Sequence, residues 1–182
     1  REEEELKKKL DDVRRENEES VKKIKEDIDR VRREHEKTVE EIRRHNKKVE
    51  EEIRAEVRRK DDRDSRLERI LRELKRLLEE HNKELDELSE RLERELRAVE
   101  EKIERIHDDL ARKLEKLAEE IKKDGADDRI REEIEKLAEE IRRLDERLEE
   151  ELREIVRKMR ELNRRVAEKS KELTEDARRR LK

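Results

Sequence analysis

Four histidines, His35, His45, His81 and His107, are the side chains best suited to moving a proton or holding a metal near neutral pH. Ser20, His107 and Asp145 supply the residue types of a nucleophile, a base and an orienting carboxylate, as acyl transfer requires. His45 and His81 could hold zinc between two helices. Neither has a second ligand at His-x3-His or Glu-x-x-His spacing, and Asn and Ser are poor third ligands. What these groups can do depends on which of them the chain brings together, and how dry it keeps them.

The elements that must position them are written in an 18-residue repeat. LKKKLDDVRRENEESVKK, IKEDIDRVRREHEKTVEE and IRRHNKKVEEEIRAEVRR follow one another from Leu6 to Arg59. Leu6, Ile24 and Ile42 share one slot, Val13, Val31 and Val49 another, and Val21, Val39 and Val57 a third. Eighteen residues are five turns at 3.6 residues per turn, so the apolar stripe runs along one helix face. The same period recurs in Leu67, Leu85, Ile103 and Ile121, and again in Ile130, Leu148 and Val166. The pattern predicts three helices, over about 2–60, 66–123 and 128–181. DDRDS (Asp61 to Ser65) breaks the first. Ser65 with Glu68 reads as a capping box, Gly125 as a left-handed helix end, and Asp127 or Asp128 as the cap of helix three.

Two short loops make neighbouring helices antiparallel, so the expected fold is all-α: one up-down-up three-helix bundle spanning 1–182. A heptad repeat imposes a left-handed supercoil, whereas eighteen residues over five turns impose almost none. The bundle is therefore expected to be elongated and nearly untwisted. Folding at the two loops aligns Asn17 with His107 and Asp145, and His35 with Ser89 and Asn163, whereas Ile53 meets Leu71 and Leu181. His45, Asn46, His81, Asn82, Ser170 and Thr174 form a third polar cluster, and Ser20 and Thr38 flank the first two layers.

Grouped polarity on three helices has a physical reason. An unpaired buried polar group costs several kcal/mol, about 1–3 in protein mutants, so such groups should arrive as partners. Slipping one helix by a turn would strand them, which fixes register and topology. In the triad reading, Ser20, His107 and Asp145 would sit in a packed seam without a cleft or oxyanion donors. Ser89 cannot serve His107, because 18 residues along a helix is about 27 Å. Buried as neutral partners, His35, His45 and His81 would weaken the fold in acid, since the unfolded chain would then bind more protons.

Composition narrows the rest. Charged residues make up 64% of the 182 residues, with 56 basic against 60 acidic side chains, and there is no aromatic residue, Cys or Pro. Such composition argues for disorder unless the pattern is ordered, as it is here. The signs are mixed throughout, so a basic arm for nucleic acid is missing, and no apolar run is long enough for a membrane span. No cofactor or metal is expected, and no disulfide can form. The chain begins at Arg1 rather than Met, which points to processing, and it reads as soluble.

Together the 18-residue repeat, the Leu/Ile/Val seams, the Glu/Lys/Arg surfaces, the KDGADD loop and the grouped His, Asn, Ser and Thr resemble de novo designed, parametrically generated three-helix bundles with buried hydrogen-bond networks. That resemblance implies a structural scaffold without an evolved activity, monomeric and needing no partner. The alternatives are a pH-responsive bundle switched by its histidines, or an interaction module sharing its seam with other chains. A natural spectrin-like repeat would carry aromatics and a less regular period.

Overall fold

In the computed structural model, residues 1–60 and 65–182 are described. The chain is a three-helix bundle of α1 (Glu2–Arg59), α2 (Ser65–Asp124) and α3 (Asp128–Leu181), with no strand among the described residues. The expected break at Asp61–Asp64 lies outside the described residues.

Each helix is built from good helix formers, and its ends are set by recognisable chemistry. Glu2 to Glu5 place negative charge on the first turn of α1, where the macrodipole favours it. At the end of α2, Gly125 adopts φ 77°, and its N–H donates to the Ile121 carbonyl at 3.0 Å. This is the left-handed C-terminal motif expected for the one glycine. Asp127 rather than Asp128 caps α3, its carboxylate accepting from the Arg129 N–H at 3.3 Å. The last carbonyls of α3 are capped by basic side chains: Lys60 Nζ donates to the Leu181 carbonyl at 3.0 Å, and Arg66 to that of Arg180 at 3.3 Å.

The residues divide into two compact units, each taking one segment from every helix. The first comprises Arg1–Arg30 and Glu95–Ile155, and the second Val31–Arg94 and Val156–Lys182. In the first unit Leu6, Leu10 and Val13 of α1 pack with Leu110, Leu114 and Ile121 of α2 and with Ile130, Ile134 and Ile141 of α3. In the second, Val49 and Ile53 pack with Leu67, Ile70, Leu74, Leu78, Ala177 and Leu181, with Leu71 only partly buried at the edge. A smaller cluster of Val39, Ile42 and Leu85, flanked by Val166 and Ala167, lies in the second unit too. Among the described residues no large hydrophobic side chain is exposed, and no helix is long and apolar enough to cross a membrane.

Interhelical ion pairs report the register. In the first unit Lys23 of α1 bonds Glu149 of α3, and in the second unit Glu34 bonds Arg160 and Glu52 bonds Arg178, each pair 126 residues apart. Glu16 and Arg142, in the first unit, stand at the same offset, 3.8 Å apart. Residues 16, 34 and 52 differ by 18, as do 142, 160 and 178, so the period of the core also spaces these surface pairs. A constant difference means that α1 and α3 run parallel. In the second unit Arg32–Glu93 and Arg43–Asp86 rise on one helix as they fall on the other, so α1 and α2 run antiparallel. The pairs are exposed and add little stability each, about 0–1 kcal/mol.

Candidate functional site

Three polar layers interrupt the apolar seams, and each is wired differently. In the first unit, Asn17 Nδ2 donates to the backbone carbonyl of His107 at 3.0 Å, not to its ring. His107 is 3% exposed. Its Nδ1 lies 2.9 Å from the Ile103 carbonyl one turn back, so Nδ1 carries a proton and donates it there. Nε2 faces Ser20 Oγ at 3.3 Å and Asp145 Oδ1 at 3.6 Å, the latter beyond hydrogen-bond reach. The Ser20 hydroxyl donates to Asp145 instead. Ser20, His107 and Asp145 therefore come together, but with serine and carboxylate on the same ring nitrogen. A catalytic triad needs them on opposite nitrogens, so that the carboxylate can stabilise the imidazolium that takes the serine proton.

The second layer is linear. His35, 4% exposed, places Nε2 2.8 Å from Ser89 Oγ and Nδ1 3.2 Å from Asn163 Nδ2. Ser89 is half-buried and Asn163 buried. Burial pushes His35 below the ordinary histidine pKa, opposed by the hydrogen bond from Asn163 and the charge of Glu36. Ser89 borders a groove between α1 and α2 of about 320 Å³, with Val39 and Leu92 in its lining and Arg32 and Arg43 among its other walls. Thr38, next to this layer, bonds the Glu34 carbonyl of its own helix at 3.0 Å.

The third cluster is assembled only in part. The Ser170 hydroxyl donates to Asn46 Oδ1. Thr174 Oγ1 donates to the carbonyls of Ser170 and Lys171, both at 3.0 Å, and so serves its own helix. His81 is 1% exposed, and neither ring nitrogen has a hydrogen-bond partner among the described residues. Burial lowers its pKa; Glu84 opposes this and Lys169 adds to it. Those two charges are themselves paired at 2.7 Å. Asn46 Nδ2, Asn17 Oδ1 and Asn163 Oδ1 are likewise buried without a partner.

Two expectations need correction. His45 is exposed and belongs to no buried layer, because Asn46 takes the seam position (3% exposed), and the next residue on a helix lies about 100° around it. The exposure of His45 also separates it from the buried His81, a pair that ligand spacing already disfavoured as a zinc site, and Asn82 is exposed beside His81. Among the described residues no group of three or more His, Cys, Asp or Glu is placed to hold a metal. Secondly, the polar residues do not all arrive as satisfied partners, His81 being the clearest exception. Ser20 has a larger role than a flanking one. Its signal was the burial rhythm of α1, in which Leu6, Leu10, Val13, Asn17, Ser20 and Ile24 alternate in steps of four and three.

Comparison with protein-family models, curated proteins and solved structures finds no match.

Proposed function

We propose that this chain is a de novo designed scaffold, with no evolved catalytic or ligand-binding task, in which buried polar layers hold three helices in one register. The observation that carries this reading is the double use of one period. Steps of 18 residues relate the core positions Leu6, Ile24 and Ile42, and equally the ion pairs of Glu16, Glu34 and Glu52. Independent surface substitutions have no reason to follow the core period, whereas a repeated geometric template imposes it on both. The scaffold acts as a monomer and requires no partner or cofactor.

Register specification is tested by making the first layer apolar, as Asn17→Leu, Ser20→Leu, His107→Leu and Asp145→Leu together. The parent is expected to elute as one species near 22.6 kDa by size exclusion with light scattering. The quadruple variant is expected to remain helical while populating several oligomers, since an apolar seam accepts more than one register. A single monodisperse species from the variant would remove the polar layer from its assigned role.

A second reading, a bundle that loosens in acid, is favoured by His81. A buried imidazole without partners has nothing to accept the added proton's hydrogen bond, so charging it is costly.

A further inference from the structure

We propose that Ser89 is a nucleophile activated by His35, reactive toward small organophosphorus and activated-ester electrophiles that enter the groove between α1 and α2. This goes beyond the scaffold reading and does not depend on it. The carrying observation is connectivity. Ser89 Oγ sits on Nε2 of His35 at 2.8 Å, and Asn163 sits on Nδ1 at 3.2 Å, so hydroxyl and orienting amide occupy opposite ring nitrogens. That is the order a nucleophile, base and orienter require, and the order that Ser20, His107 and Asp145 lack despite having the more familiar residue types.

The layering in depth agrees. Asn163 and His35 are buried, while Ser89 is only partly buried and lies at a groove of about 320 Å³. Ser89 is therefore the most accessible of the three, and His35 also borders the groove while staying buried. Val39 and Leu92 offer the groove an apolar lining, and its charged walls are Arg32, Arg43, Glu36, Glu40 and Glu93, with Arg32 paired to Glu93 and Arg43 to Asp86. Burial keeps His35 in the free-base form that can accept a proton.

With Asn163 Nδ2 on Nδ1, the ring carries its proton on Nε2 and donates to Ser89. Turning the amide over puts Oδ1 on an Nδ1–H and leaves Nε2 to accept from the Ser89 hydroxyl. Oδ1 is buried without a partner in the first arrangement. The turn exchanges one unpartnered amide atom for the other, so both arrangements are accessible, and the second is the reactive one.

With an alkyl fluorophosphonate, Oγ attacks phosphorus. An O–P bond forms, the P–F bond breaks, and fluoride leaves with the bonding pair. The hydroxyl proton passes to Nε2 of His35 and from there to water. Ser89 lies inside α2, where backbone N–H groups are committed to the helix and supply no oxyanion hole. The expected outcome is therefore stoichiometric labelling rather than turnover.

The experiment incubates the full chain with a fluorophosphonate at neutral pH and maps the adduct by mass spectrometry. Ser65, exposed at the start of α2, is the internal reference. Ser89 is expected to label on the order of 100-fold faster than Ser65, the size of general-base assistance. Ser89→Ala should remove the fast adduct, and His35→Gln should reduce Ser89 to the Ser65 rate. The rate should rise with pH through one ionisation below the ordinary histidine value. Asn163→Asp, which keeps an acceptor for Nδ1–H, should retain fast labelling, and Asn163→Leu should slow it and move that ionisation. Equal labelling of Ser65 and Ser89, or an unchanged Ser89 rate in folded His35→Gln, overturns the proposal. Should His35→Gln fail to fold by circular dichroism, the parent ratio and pH profile decide: a ratio near one, or a rate flat from pH 5 to 8, is equally fatal.

Discussion

In the first unit the seam is interrupted once, by Asn17, Ser20 and His107, and its buried histidine has a polar neighbour at each ring nitrogen. In the second unit it is interrupted twice, at His35 and Asn163 and again at Asn46, His81, Ser170 and Thr174. Between those interruptions lies the small cluster of Val39, Ile42 and Leu85, flanked by Val166 and Ala167. Both units follow the same helical period, so the difference lies in what fills it. A polar slot costs little where each donor finds an acceptor, and costs its full desolvation where none does. His107 exemplifies the first case and His81 the second. The second unit is therefore where the bundle should open first, and where its chemistry is most exposed to conditions.

The largest expected effect contrasts the two cores. Leu114→Ala, in the continuous core of the first unit, should cost about 4 kcal/mol, because the apolar surroundings leave a dry cavity. Leu85→Ala should cost about 2 kcal/mol, because its cluster is small and bounded by polar layers that let water occupy the space. Both residues are fully buried, so urea unfolding of the two variants compares the units directly. Equal losses would mean that the second unit is packed as well as the first.

Next in size is the pair of histidines. His81→Leu should stabilise the protein by about 2 kcal/mol, since it removes two unpaired polar atoms from a buried site. His107→Leu should destabilise it by about 1 kcal/mol, since it breaks the bonds to Ser20 and to the Ile103 carbonyl. Unfolding free energies that move in the same direction would erase the distinction between a partnered and an unpartnered buried histidine.

The smallest effect is acid sensitivity. His35 and His81 both have folded pKa values lowered from 6.5. The unfolded chain then binds more protons, so their contribution to stability is complete above about pH 6.5 and is lost as pH falls from there toward the folded values. Charges acting on these rings are Glu36 for His35, with the Arg32–Glu93 pair in the same groove, and Glu84 and Lys169 for His81. Amide-exchange protection between pH 7.5 and 5.5 should fall in residues 31–49 while holding in residues 6–28. A uniform fall, or none, would sever acid sensitivity from the second unit.

Much of this was legible from spacing alone. Leu6, Ile24 and Ile42 announced the seam, Gly125 the second loop, and Asn17, His35 and Ile53 the one slot filled in different ways. A helix has a fixed pitch, so a period in sequence becomes a face in space without reference to any neighbour. Short loops then left α1 and α2 no option but to run antiparallel. The same rule marks why His45 was misplaced: adjacent residues straddle the seam edge, and only packing decides that Asn46 goes in and His45 stays out.

What the tertiary structure alone decided is which atoms meet. Levels grouped Asn17, His107 and Asp145, with Ser20 one turn away, just as they grouped Ser89, His35 and Asn163. Yet one set converges on a single ring nitrogen while the other forms a chain through both. The choice follows from how each ring is turned: His107 spends Nδ1 on a carbonyl of its own helix, whereas His35 offers both nitrogens to its neighbours. Ring orientation is set by contacts across three helices at once, a property that no single-helix period encodes. The sequence determined the faces and their register; the packed bundle determined that one polar layer is closed on itself and another opens onto a groove.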